Sequence, residues 1–217
     1  MARARRRPAA TVAASEHLGR ADAVLAQVIA AHPGFDPRAW LDDLPPMDPF
    51  GALVFQVVGQ QLSVASTRRI LERLCVPFAG HLPTARQLLD ADPSTLRAAG
   101  LSARKVDTLR ALAEAFDRGD VSDAALGAMS DEEIEHRLTA IPGIGPWTVH
   151  GMLIIALDRP DVVLPGDLAL RRAIQRVYGL DAPPSPDEVL AMAERWRPHR
   201  SLATAYLFQA AFEEPGT

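Results

Sequence analysis

Residues 138–149 read Leu138-Thr139-Ala140-Ile141-Pro142-Gly143-Ile144-Gly145-Pro146-Trp147-Thr148-Val149. The spacing predicts a helix ending near Ala140, a tight turn with glycines at 143 and 145, and a new helix from about Pro146. Glycine lets the backbone take conformations closed to other residues and lets a ligand approach without meeting a Cβ. The first turn of a helix offers unpaired N–H groups and the positive end of its dipole. Such a turn binds an anion, phosphate above all, without any net positive charge. An ordinary corner between two helices would use the same proline and glycines, so the turn alone does not decide function.

Outward from this segment the signals are helical almost throughout. Val24, Leu25, Val28 and Ile29 form one apolar face ahead of His32-Pro33-Gly34. The apolar run Leu53–Val58 breaks at Gly59-Gln60-Gln61. Ser63, Asp92 (before Pro93), Ser102 and Ser201 stand where they can cap helices, and Ser130-x-x-Glu133 and Ser185-x-x-Glu188 are capping boxes. Val162-Val163-Leu164 is apolar and β-branched but short, and Pro160 and Pro165 bound it, which predicts an extended loop. No strand series and no repeat emerges. The expected architecture is all-α, with about ten helices.

Composition narrows the function classes. The chain has 217 residues, 48% of them hydrophobic, enough for a real core. One cysteine excludes a disulfide framework, a cysteine-based zinc finger and a four-cysteine iron–sulfur cluster. No apolar run approaches the ~20 residues of a membrane span, and the first residues lack the apolar core of a secretory signal. A reducing, cytoplasmic setting and no membrane partner are the corresponding expectations. The formal net charge is −4, which argues against holding a polyanion by bulk positive charge. Arg3, Arg5, Arg6 and Arg7 read as a solvated, disordered leader over residues 1–14. Lys105 is the only lysine.

The pattern at 138–149 resembles the helix-hairpin-helix motif, with Val149 where the motif usually has alanine. Downstream, Val162-Val163-Leu164-Pro165-Gly166-Asp167-Leu168 places an aspartate after Pro-Gly at a helix start. Alone, Asp167 reads as an N-cap. Hairpin, Gly/Pro-rich loop and aspartate together resemble the helix-hairpin-helix DNA glycosylase superfamily, across roughly residues 50–210. The 3-methyladenine DNA glycosylase II branch is the most similar. Val58-Gly59-Gln60-Gln61-Leu62-Ser63-Val64-Ala65, Gly100-Leu101-Ser102-x-x-Lys105, Trp147 where bifunctional members carry lysine, and Trp196-Arg197-Pro198-His199-Arg200-Ser201 resemble elements of that branch.

The resemblance implies two helical lobes with a cleft between them and the hairpin at its edge. The central lobe would span about 52–165, and 15–51 plus 166–217 the second. It implies a short form without the N-terminal α/β domain of longer members. It implies a monomeric enzyme that extrudes an alkylated purine from double-stranded DNA and hydrolyses the N-glycosidic bond, leaving an abasic site. Asp167 would stabilise the oxocarbenium-like sugar and position water. An indole at 147 cannot form the Schiff base that a lysine would, which implies a monofunctional hydrolase. Trp147 and Phe208 become pocket candidates, while Trp40, Tyr206 and Phe55 are left to the core. Gly143, Ile144, Gly145, Thr148, Gln61, Leu62, Arg171 and Arg200 make up the expected DNA-binding set, with Gln61 first and Leu62 second as the wedge. No catalytic cofactor is expected. The family's hairpin holds Na+ or K+ when DNA is bound, by position on the carbonyls of Thr139, Ile141 and Ile144. Gly151 stands where the long form has an aromatic, which leaves the lesion range open. Two other readings stay open: a glycosylase for mismatched or oxidised bases, and a non-catalytic DNA-binding module. A major-groove regulator fits less well, because the hairpin offers backbone amides rather than base-reading side chains.

Overall fold

A computed structural model describes residues 9–42 and 44–212. The Arg3–Arg7 cluster lies outside the described residues. Along the chain come α1 (Ala9–Ala21), α2 (Ala23–Ala31), α3 (Pro49–Gly59), α4 (Val64–Cys75), α5 (Ala85–Asp90), α6 (Pro93–Ala98) and α7 (Ala103–Asp117). Then follow α8 (Asp123–Ala128), α9 (Asp131–Thr139), α10 (Pro146–Ile155), α11 (Leu168–Tyr178), α12 (Pro186–Ala193) and α13 (Arg200–Phe212). The described residues contain no strand, and 162–164 is extended loop as expected. The helix total exceeds the expected ten because short helices such as α5 and α8 have their own caps, Thr84 and Ser122.

The chain divides into two compact units, 43–158 and the two ends, 1–42 with 159–217. Both boundaries fall somewhat earlier than the sequence suggested. α3 starts at Pro49 on its Asp48 cap and packs with α10, so its first turn belongs to the middle unit. Segment 159–162 is tied instead to α13, where Ser201 N donates to Pro160 O (3.0 Å) and Ser201 Oγ donates to Arg159 O (2.7 Å).

In the middle unit α3 is buried all round, from Phe50 to Val58, which is the mark of a central helix. α10, α4, α7 and α8 pack on it. In the unit of the two ends, Leu18, Leu25, Ile174, Trp196 and Tyr206 form the core. Phe55 is buried, as expected, but Trp40 is 41% exposed and belongs to no core.

Two further expectations need correction. Residues 9–14 begin α1 rather than extending a leader, because Ala9-Ala10-Thr11-Val12-Ala13-Ala14 is rich in the best helix former and Ala14 is buried. Ser201 lies inside α13, one residue after its start, and its hydroxyl serves the 159–162 segment instead of a cap.

Asp22 organises the unit of the two ends. Its Oδ1 accepts from Val24 N (2.9 Å) and Leu25 N (3.2 Å), capping α2. Its Oδ2 accepts from Tyr178 Oη (2.6 Å) and Trp196 Nε1 (3.1 Å). Burial pushes the carboxyl's pKa up, but these four hydrogen bonds outweigh it and hold it below the ordinary value. A depressed native pKa means that this stabilisation is present above the unfolded carboxylate pKa. It fades as pH falls through the native value. Asp22→Ala removes a cap and strands one buried donor, Trp196, and one half-buried donor, Tyr178, so it should destabilise by on the order of 3 kcal/mol in thermal unfolding at pH 7. The gap between parent and variant should shrink as pH drops below that of an ordinary carboxylate.

Candidate active site

The hairpin is built as its sequence demands. The capping box of Ser130 and Glu133 starts α9, and Ala140 ends it. Ile144 N donates to Ile141 O (3.1 Å), closing the turn, and Gly145 caps α10 with Pro146 at its first position. Ile141 and Ile144 turn their side chains into the core, which leaves backbone at the surface. The amides of Gly143 and Gly145 donate to no described residue. A hydrogen bond of 2.7 Å between His150 Nε2 and Glu135 Oε2 joins the two helices.

The two glycines have different reasons. Gly143 has φ +86°, and a Cβ there would stand 2.0 Å from Thr108 Oγ1. Gly145 has open space where its Cβ would be. Thr108 is buried on α7, so the turn lies directly on that helix.

A second set of contacts ties the end of α3 to the hairpin. Gln60 Nε2 donates to Gly143 O (3.2 Å) and to Thr148 Oγ1 (3.0 Å). Lys105 Nζ donates to Val58 O (2.7 Å) and Gln60 O (2.8 Å), the last carbonyls of α3, and burial lowers its pKa. Gln61 follows at φ +60°, an uncommon conformation for a non-glycine residue, and is exposed, as is Leu62 at 41%. Such backbone strain is typical of sites where position matters more than stability. Sequence reasoning gave Gln60, Lys105 and Thr108 no part in supporting the hairpin. A lone lysine in a chain of arginines was the available signal for one of them.

Trp147 is half-buried on the first turn of α10. Asp167, in the other unit, caps α11. Its Oδ1 accepts from Leu170 N at 2.8 Å, which fixes the orientation of a half-buried carboxylate. Phe208 is half-buried on α13, packed on that unit's core and stacked on Phe212 at 6.0 Å.

Three residues of the expected DNA-binding set hold bonds within the fold. Thr148 is only 2% exposed, and its hydroxyl receives Gln60. Arg171 Nε donates to Pro184 O, holding the loop before α12. Arg200 Nε bonds Asp161 Oδ1 at 2.7 Å, and Arg197 Nη1 bonds Oδ2 of the same carboxylate at 2.8 Å. These side chains lock loops in place, a use that sequence position does not distinguish from DNA contact. Among the described residues no cluster of His, Cys, Asp and Glu could hold a metal ion. No helix there is long and apolar enough to cross a membrane.

The turn geometry separates the glycines experimentally. Gly143→Ala should destabilise by at least about 2 kcal/mol, from a left-handed alanine and its clash with Thr108. Gly145→Ala should stay within about 1 kcal/mol of the parent. Thermal unfolding of the two variants checks the contrast.

Comparisons with known proteins agree with this geometry. Residues 54–198 match the family described as HhH-GPD superfamily base excision DNA repair protein. The chain is 35% identical over 166 residues to DNA-3-methyladenine glycosylase 1 of Schizosaccharomyces pombe, covering 76% of this chain and 73% of that protein. It is 29% identical over 178 residues to DNA-3-methyladenine glycosylase 2 of Escherichia coli, covering 78% of this chain and 60% of that protein. The solved structure of the S. pombe 3-methyladenine DNA glycosylase in complex with abasic DNA superimposes with a TM-score of 0.83 at 31% identity. That superposition covers 90% of this chain and 95% of the other. The hairpin, its glycines and the aspartate after it thus sit in a chain that belongs to the HhH-GPD superfamily of base excision DNA repair proteins.

Proposed function

We propose that this protein is a monofunctional DNA glycosylase that hydrolyses the N-glycosidic bond of alkylated purines in double-stranded DNA. One observation carries the DNA-binding part of the reading. The amides of Gly143 and Gly145, at the positive end of α10, have no acceptor within the described protein. They suit a DNA phosphate, and they explain how a chain of net charge −4 grips a polyanion. The names of the similar proteins support the substrate class.

The chemistry follows from the charge on the base. Alkylation at N3 or N7 makes a purine cationic and a good leaving group, so little acid help is needed. The base leaves the stack, and Gln61, held out in its left-handed conformation, fills the gap with Leu62 beside it. The electron-poor base lies on the indole of Trp147, by the attraction that draws cations to aromatic faces. As the bond breaks the sugar takes positive charge, which the Asp167 carboxylate stabilises while it orients water. What supports a hydrolase without lyase chemistry is that residue 147 is an indole and the Lys105 ammonium is engaged by two carbonyls.

A monovalent cation fits the hairpin. The carbonyls of Thr139 and Ile144 accept no hydrogen bond from described residues, and that of Ile141 accepts one. These three would hold the ion, whose charge would add to the attraction for a phosphate.

A second reading has its own support. Asp167 does cap α11, so the carboxylate could serve the fold alone on a hairpin that docks on DNA without chemistry. Asp167→Asn separates the two, because asparagine caps as well as aspartate but carries no charge. We expect wild-type unfolding and DNA affinity, with release of 3-methyladenine from methylated duplex slowed by ~10²–10³. Release at the parent rate overturns the assigned mechanism, and tight binding without release by the parent itself favours the docking module. Gly145→Ala, which the fold tolerates, should weaken binding to abasic duplex in fluorescence anisotropy, because its methyl stands where a phosphate approaches.

A further inference from the structure

Beyond the residues already assigned, the middle unit holds a polar group that the fold does not use. Gln56 lies on α3, inside the most apolar helix of the chain, and is only 6% exposed. Among the described residues no group hydrogen-bonds its carboxamide. Its amide is not among the side-chain atoms sealed from solvent without a partner, so it stands open to a ligand's polar groups.

Its position is specific. A Cβ on Gly151 would stand 2.0 Å from Gln56 Nε2 and 2.3 Å from its Cδ. The carboxamide therefore occupies the place where residue 151 would project any side chain. Gly151 sits four residues after Trp147 on α10, hence one turn on along the same face. That displacement is about 6 Å along the helix axis, close to the length of a purine ring system. A base lying on the Trp147 indole extends over Gly151, where α10 offers no side chain. The Gln56 carboxamide fills that place and is the polar group in line with such a base.

We infer that Gln56 is a specificity residue that hydrogen-bonds the 6-substituent of the extruded purine. This deepens the reading of the site as an alkylpurine glycosylase and rests on it. A carboxamide carries both an acceptor and donors. Its Oε1 accepts from the 6-amino group of an adenine lesion, and its Nε2 donates to the 6-oxo group of a guanine lesion. One residue thus lets a single pocket take both classes. An apolar side chain there would serve neither, and a purely accepting one would serve only the first.

Methylated duplex DNA tests this, because 3-methyladenine and 7-methylguanine are released from the same substrate and their ratio is independent of the active fraction. Gln56→Met keeps length and bulk but removes both hydrogen bonds. It should lower kcat/KM for both bases by about tenfold or more. Gln56→Glu keeps the acceptor and loses the donor, so the release ratio should move toward 3-methyladenine by about tenfold or more. A general loosening of the fold would move both bases together. Parent-like release of both bases by Gln56→Met overturns the assignment. So does an equal change in both, or a move toward 7-methylguanine, by Gln56→Glu. If one variant fails to fold, the other decides. A parent that releases neither base overturns the glycosylase reading itself, whereas a parent that releases both beside unresponsive variants overturns only the role of Gln56.

Discussion

The middle unit depends on the missing side chain at residue 143. Its backbone lies on Thr108 so closely that even a methyl group has no place, and its φ of +86° belongs to glycine. Two helices, α7 and α3, converge there. α7 supplies the floor through Thr108, the end of α3 reaches across through Gln60, and Lys105 fastens that end in turn. The turn is thus set by rigid elements on several sides. A backbone that must present its amides at a fixed angle needs such support, because a flexible glycine loop would lose entropy on every binding event.

This arrangement explains how an acidic protein can suit an anionic partner. Some arginines are occupied within the fold, Arg197 and Arg200 sharing Asp161 and Arg171 holding a loop carbonyl, while Arg69, Arg104 and Arg172 are exposed. The turn adds peptide dipole, which carries no net charge and is aimed at one place, so its contribution acts on a single strand segment.

The fold was legible from sequence because its helices announce their own beginnings. Ser63, Asp92, Ser102, Ser130 and Ser185 all cap where spacing placed them, and both capping boxes form. Local chemistry decides such features, so local sequence reveals them. What stayed hidden concerns groups whose partners are distant in sequence. Arg171, Arg200, Thr148 and Ser201 have residue types suited to several tasks, and only tertiary structure chooses among them. The fit of Gln56 against Gly151 joins residues 95 positions apart, a glycine on one helix making room for an amide on another. Gly151 was visible as an absence in the sequence, but what filled the space was not.

The unit made from the two ends of the chain has a consequence for how the protein is made. α1 and α2 carry Leu18, Leu25 and Val28, whose partners Ile174, Trp196 and Tyr206 lie beyond Arg159. During synthesis these N-terminal helices leave the ribosome with an apolar face and nothing to cover it. The middle stretch, a contiguous piece with its own core, has the means to fold while they wait. Completion comes only with the last helix, so a chain interrupted before α13 leaves its earliest residues uncovered, a ready target for chaperones and proteases.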